Sequence, residues 1–481
     1  MDPAMGRPPP FRPRRALPPL PTRQLTPSQP SQSFTIRIAG LAWPILIGQL
    51  AVIANGVIDT AMTSRFSATD LAALALGASI YISIFVGLNG VLAAMSPVIG
   101  QLFGAQRFQD IGAEIKQGAW LALFLALAGC IALAFPQPLL ALAHASSDLN
   151  EKSTLYLRIL ALALPATLGF RIYASLNTAI GQPKMVMALQ IGALALKIPL
   201  NGLFIFGGFG VPALGGPGCA VATAVIAWTL FLISALILRT HSSYRAYGIF
   251  GTGFAAPKWA AQRELLKLGI PMGLSYLIEV TAFTFMALFI ARLGATVVAG
   301  HQITANFGTV LYMLPLAIAN ATGTLVAQAI GAQQLETARR IGFAGIRLAA
   351  ILSVSIGVVV WLAREAIVRA YTPDASVAAT ALPLFMFIAF YQLFDSVQVA
   401  AAFVLRAYKV AVVPTLMYAV ALWGVGLGGG YVLGLDPFGI SPSLFHGAAG
   451  FWMGNSTSLA LVATGLLWYL RVVQRNAERE Q

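Results

Sequence analysis

The sequence predicts an all-α integral membrane protein, with twelve transmembrane helices in two six-helix bundles related by a pseudo-twofold axis along the membrane normal. Three observations carry this prediction. The 481 residues are 58% hydrophobic and only 10% charged, with a mean hydropathy of +0.79, too apolar for a water-soluble chain of this length. Apolar stretches of about 20 residues, each able to cross a ~30 Å hydrocarbon core, recur about twelve times between short polar connectors, without the two-residue alternation of a membrane barrel. The second half also repeats the first. Pro44 to Gln106 can be laid on Pro271 to Gln333 without a gap, Pro44 on Pro271 and Gly104 on Gly331, an offset of 227 in each case. Ala68-Thr69 then meets Ala295-Thr296, and Gln101 meets Gln328. With six spans per half both halves start on the same side, and such parallel repeats enclose a site at their interface and expose it alternately to each side.

In chain order, residues 1–34 are rich in Pro, Arg, Ser and Gln, cannot bury a core, and read as a disordered basic cytoplasmic tail. Prolines interrupt the apolar run that a signal peptide needs. The first bundle is expected over 35–238, with spans from about Leu41 to Met62 and Leu71 to Phe103, a third to about Ala143, a fourth ending at Gly181-Gln-Pro-Lys184, a fifth from Met185 to Phe206 and a sixth to Leu238. Arg239 to Lys267 is the longest internal polar break, and the cytoplasmic linker is placed at 239–264. The second bundle is expected over 265–470, with spans near 268–291, 298–330, 341–362, 378–405, 410–434 and 447–470, and a short cytoplasmic tail over 471–481. The net charge of +14 is topological and does not indicate nucleic acid. Roughly two dozen Lys and Arg fall on the side of the basic tail and about six opposite, which places both termini in the cytoplasm. Cys130 and Cys219 lie in or beside apolar spans without metal-ligand spacing and read as small core residues.

Ionisable residues inside spans are the candidate functional groups, because a charge near the bilayer centre costs about 2.5 to 3.5 kcal/mol even on insertion scales. Asp395 lies in Tyr391-Gln-Leu-Phe-Asp-Ser-Val-Gln398, with Tyr391 one helical turn earlier on the same face. Glu279 is mid-span in Tyr276-Leu-Ile-Glu-Val-Thr-Ala-Phe283. Two such carboxylates in one cavity raise each other's affinity for a cation, so Glu279 and Asp395 are the candidate site for H⁺ or for Na⁺, the candidate metal ion. Asp59, with Asn55 one turn before it, makes a second oxygen cluster. Lys197 is mid-span, Asn201 follows one turn later, and Asp59 is the acid in that half able to pair with the buried ammonium. Arg171 can reach the inner surface, and His301 reads as a satisfied interface histidine. Phe283, Met286, Phe289 and Met313 are residue types that pack helices or line a pocket for flat, apolar cations.

Taken with the repeat, several stretches give the chain a family likeness: Val57-Ile-Asp-Thr-Ala-Met62, Leu71-Ala-Ala73, Ile198-Pro-Leu-Asn201, Leu214-Gly-Gly-Pro-Gly-Cys219, Ile278-Glu-Val-Thr281, Val297-Val-Ala-Gly-His-Gln302 and Tyr391 to Gln398. Over about residues 35–470 the chain resembles the multidrug and toxic compound extrusion (MATE) family, most closely its NorM-like branch. The resemblance implies a V-shaped fold in a bacterial inner membrane and secondary active efflux of small organic cations or amphipathic drugs against inward Na⁺ or H⁺, by a monomer with no cofactor, in contact with membrane lipid. It also implies a cation site at Glu279, Tyr391 and Asp395, and a first-lobe polar network at Asp59 and Asn201. Similar proteins carry Asn where this chain has Lys197, so coupling is expected to rest on the second lobe. The alternative is a related flippase of lipid-linked precursors. An intramembrane enzyme is not expected, because the acids are dispersed over three distant spans.

Overall fold

A computed structural model describes residues 33–141, 146–250, 255–439 and 441–479. The basic tail expected over 1–34 therefore lies outside the described residues up to position 32. Among the described residues, twelve helices are long and apolar enough to span a membrane. They are α1 (Phe34–Phe66), α2 (Ala68–Gly104), α3 (Phe108–Ala134), α4 (Ser147–Ala179), α5 (Pro183–Phe206) and α6 (Gly216–Thr240), then α7 (Trp259–Ala291), α8 (Ala295–Gly331), α9 (Leu335–Tyr371), α10 (Ala375–Ala407), α11 (Val412–Leu435) and α12 (Ala448–Arg479). The repeat is visible in their lengths: α1 and α7 both have 33 residues, α2 and α8 37, α4 and α10 33, and α5 and α11 24.

Local chemistry repeats as well. Pro44 and Pro271 sit inside α1 and α7, each removing one backbone donor from its helix. The turns after α2 and α8 both carry a glutamine in the left-handed region, Gln106 at φ 57° and Gln333 at φ 59°. Two boundaries differ from the sequence reading. The α7 helix begins at Trp259, inside the expected linker, and α12 runs on to Arg479, through most of the expected tail, because these first and last turns are polar and helical at once. The remaining linker carries a short 3₁₀ turn, Ser242–Tyr247, whose Tyr244 hydroxyl donates to Asn177 Oδ1 at 2.7 Å. One further irregularity lies in α11, where Ala419–Gly429 winds as a π-helix rich in glycine.

Each half has its own apolar core, and each lends the start of its first helix to the other. Ile38 and Ala42 of α1 belong to the core of the second bundle, and Leu265 of α7 to that of the first. The bundles meet, on the side that the charge asymmetry of the sequence predicts to be inner, through α2 and α8. There Gln101 Nε2 of α2 donates to Ala407 O, the last residue of α10, at 2.8 Å, and Gln328 Nε2 of α8 donates to Ala179 O, the last residue of α4, at 2.7 Å. Terminal helix carbonyls have no intrahelical donor, so each half caps a helix of the other. Gly104 and Gly331 make this approach feasible. A Cβ on Gly104 would stand 1.9 Å from Gln328 O, and one on Gly331 would stand 1.9 Å from Gln101 O.

Candidate functional site

The first polar cluster joins α1, α5 and α6. Lys197 of α5 is 2% exposed, and its ammonium lies 2.9 Å from Asp59 Oδ1 of α1, 2.6 Å from Thr223 Oγ1 and 3.5 Å from Cys219 O, both on α6. Three acceptors thus face three N–H donors, the condition under which a buried charge is tolerable. Asn201, one turn after Lys197, donates to the same Asp59 oxygen at 2.7 Å. The pair that the sequence suggested is therefore formed, well inside the 6 Å range in which opposite charges influence each other strongly. Asn55 behaves differently. Its amide nitrogen turns back to Ala51 O of its own helix at 3.1 Å, and its Oδ1 is buried without a partner, so it makes no hydrogen bond to Asp59.

The second cluster lies in the other bundle. Asp395 of α10 is 1% exposed and accepts a hydrogen bond from Gln398 Nε2, one turn on, at 2.9 Å. Gln398 Oε1 in turn accepts from the Tyr418 hydroxyl of α11. This second bond fixes the amide with its nitrogen toward the carboxylate. Tyr391 packs edge-on against Phe283 of α7 at 5.9 Å and Trp452 of α12 at 5.7 Å, and the Trp452 indole donates to His301 Nδ1 at 3.2 Å. One ring nitrogen of His301 is thereby paired. Glu279 of α7 lies within electrostatic reach of Asp395, Tyr312 and Tyr418. Among the described residues neither Glu279 nor Asp395 enters an ion pair, whereas Asp59 does. No group of three or more His, Cys, Asp and Glu suited to a metal ion occurs among the described residues, so a cation here would rest on two carboxylates, tyrosine oxygens and amides.

The apolar candidates separate. Met286 is 3% exposed and belongs to the core of the second bundle, and Phe289 packs on Tyr431 and Phe451. Phe283 and Met313 are only partly buried, with Phe283 against Tyr391.

Several polar residues escaped the sequence reading. Thr223 lies one turn from Cys219, and Gln398 three residues from Asp395, so helical spacing could have found both. Arg406 is 7% exposed in the last turn of α10, donates to the Tyr276 hydroxyl at 2.7 Å and stacks on the Tyr276 and Phe403 rings. The field of Arg406 reaches Glu279. Asp70, placed by the sequence in a connector, is 3% exposed near the start of α2, where it accepts from Gly216 N at 2.9 Å and Lys152 Nζ at 3.2 Å, fastening α2 to α4 and α6.

Comparison with known proteins agrees with this architecture. The family model MatE matches residues 44–203 and again 271–432, so both matches start at the prolines that the repeat superposes. A protein of Aromatoleum aromaticum named "Probable multidrug resistance protein NorM" is 42% identical over 94% of this chain and 98% of its own length. Multidrug resistance protein NorM of Vibrio vulnificus strain YJ016 is 37% identical, over 90% of this chain and 94% of its own. Among solved structures, the eukaryotic MATE transporter AtDTX14 superposes with a TM-score of 0.80 at 18% identity, covering 93% of this chain and 98% of that one. An outward-facing multidrug resistance MATE transporter superposes with a TM-score of 0.83 at 17% identity, covering 93% and 97%. With both halves matched by the family model and close relatives spanning nearly the whole chain, the protein belongs to the MATE family, on its NorM-like branch.

Proposed function

We propose that this chain is a secondary active multidrug efflux antiporter that exports organic, mostly cationic or amphipathic compounds in exchange for inward Na⁺ or H⁺. Multidrug efflux follows from the family and from relatives named for multidrug resistance, and these do not favour a flippase of lipid-linked precursors. The observation that carries the coupling site is the contrast between the two bundles. Asp59 already holds the Lys197 ammonium at 2.9 Å, while Asp395 and Glu279 have no ion-pair partner among the described residues. A cation from outside is therefore taken up in the second bundle, by Glu279 and Asp395 with Tyr391 beside them.

Cation occupancy favours the arrangement that releases drug outward, and drug from the inside favours the reverse, since a ligand shifts an equilibrium only by its differential affinity for the two states. Gln398, held by Tyr418, stabilises the charged Asp395 between turnovers. Phe283 and Met313 are the candidate drug contacts. The protein acts as a monomer in a bacterial inner membrane, with both termini cytoplasmic.

The test is uptake of a fluorescent organic cation by proteoliposomes under a pure Na⁺ gradient and then a pure pH gradient. At least one gradient is expected to drive uptake, and Asp395→Asn to abolish it. Transport driven equally by the Asp395→Asn variant would overturn the assignment of the second bundle.

A further inference from the structure

At the inner seam a small cavity of about 50 Å³ opens between the two bundles. Arg171 of α4 reaches it from the first bundle and Arg406 of α10 from the second, and its polar lining includes Ser175 and Thr178 of α4, Tyr276 of α7, and Asn320 and Thr324 of α8, with Ser96 of α2. Two guanidiniums inside a membrane-spanning structure demand compensation, because arginine keeps its charge and an unpaired buried charge costs several kcal/mol. Among the described residues neither enters an ion pair. Glu279 lies within electrostatic reach of Arg406, and one carboxylate beside two guanidiniums leaves a surplus of positive charge.

The unsatisfied polar atoms point the same way. Arg171 Nε, Ser175 Oγ and Thr324 Oγ1 are all buried without a hydrogen-bond partner, and all three line this one cavity. Each can donate, and the Tyr276 hydroxyl, which accepts from Arg406 at 2.7 Å, retains its own proton to donate. Such a shell of donors around two cations fits an acceptor with negative charge. At about 50 Å³ the cavity exceeds the roughly 10–15 Å³ that one water needs, so it has room for a small inorganic anion.

We propose that Arg171 and Arg406 hold a small inorganic monoanion of the chloride class in this cavity, and that the anion ties the two bundles together at their seam. The ligand is bound by residues of both halves, so it binds the arrangement in which the seam is closed and loses half of its donors when the bundles part. Chloride therefore stabilises this state by mass action.

The full-length protein in detergent tests this by thermal unfolding at constant Na⁺, with chloride replaced stepwise by gluconate. The unfolding midpoint is expected to rise with chloride and saturate. In Arg171→Gln the chloride concentration needed should increase about tenfold or more, as for a lost charge-assisted contact of at least 1.4 kcal/mol. Thr324→Val, which removes one donor and no charge, should weaken the response in the same direction and serves where Arg171→Gln fails to fold. Crystals of the unaltered protein soaked in bromide are expected to show an anomalous peak between the two guanidiniums. A midpoint that follows ionic strength alike in chloride and gluconate, or crystals with no bromide peak in the cavity, would show that it holds water only and overturn the proposal.

Discussion

Replacing Gln101 and Gln328 together by leucine removes the two hydrogen bonds by which each bundle caps a helix of the other, at 2.8 and 2.7 Å. Each bond contributes about 1 kcal/mol net. The two carbonyls left behind, Ala407 O and Ala179 O, regain a partner only when the seam opens to water, so the closed seam loses about 2 kcal/mol relative to the open one. At 1.4 kcal/mol per factor of ten, the open population rises roughly thirtyfold. The assay is the modification rate of a cysteine at position 94. Ala94 is fully buried in the small cluster where α2 meets Leu268, Met272 and Ala411 of the second half, and Cys130 and Cys219 are first replaced by alanine. A membrane-impermeant maleimide should label this thiol about thirtyfold faster in the double variant. A second cysteine at Ala349, buried in the second bundle alone, should not change and so separates seam opening from general loosening. An unchanged rate at position 94, with transport intact, refutes the reasoning that these bonds hold the seam.

Gly104→Ala and Gly331→Ala act on the same seam from the backbone, since the new methyl meets a carbonyl at 1.9 Å; each should cost about 1 to 3 kcal/mol and raise the position-94 labelling rate accordingly. Lys197→Asn leaves Asp59 without its cation and should destabilise the protein by about 3 kcal/mol in thermal unfolding; it should also open the first bundle to ions, and a transport profile with the same Na⁺ and pH dependence would show that Lys197 does not occupy Asp59. Glu279→Gln should reduce gradient-driven efflux about tenfold or more, read as initial rates in proteoliposomes. Asp374, just outside the membrane span, caps α10 by accepting from the Ser376 hydroxyl at 2.7 Å and the Ser376 and Val377 amides, bonds that hold its carboxyl below the usual aspartate range. A lowered folded value means that its stabilisation is complete above the unfolded value, about pH 4, and fades as pH falls through the folded one; hydrogen exchange at Val377 should rise there relative to neighbouring amides, and not in Asp374→Asn.

Twelve spans and the offset of 227 were legible because hydropathy and a gapless repeat are properties of the chain itself. The Asp59 and Lys197 pair was legible for a different reason: a buried ammonium needs an acid, and its half offers few inside the membrane. Helix ends were less legible at α7 and α12, since hydropathy marks where lipid ends and not where hydrogen bonding ends. The register of Gln101 and Gln328 was visible, yet nothing in it revealed that each amide crosses to the opposite half, across sequence separations of 306 and 149 residues. Asn55 shows the limit of spacing arguments. It lies one turn from Asp59, but its amide found a carbonyl of its own helix first. Tyr418 was hidden in the same way, because its link to Asp395 passes through Gln398 on another helix.

The reciprocal pattern of Gln101 with Ala407 and Gln328 with Ala179 is the geometry of an isologous contact, in which one patch meets its own copy across a twofold axis. A single-chain protein needs no such self-complementarity, but two identical six-helix chains would need it to pair at all. The seam therefore has the form of a homodimer interface retained inside one polypeptide. Residues close to its axis cross over in pairs, Gly104 against Gln328 O and Gly331 against Gln101 O, so a change at the glycine of one half is met by an unchanged partner in the other and divergence there has to proceed in pairs. Away from the axis the halves are free to differ, and there one bundle has its lysine salt bridge and the other its unpaired acids.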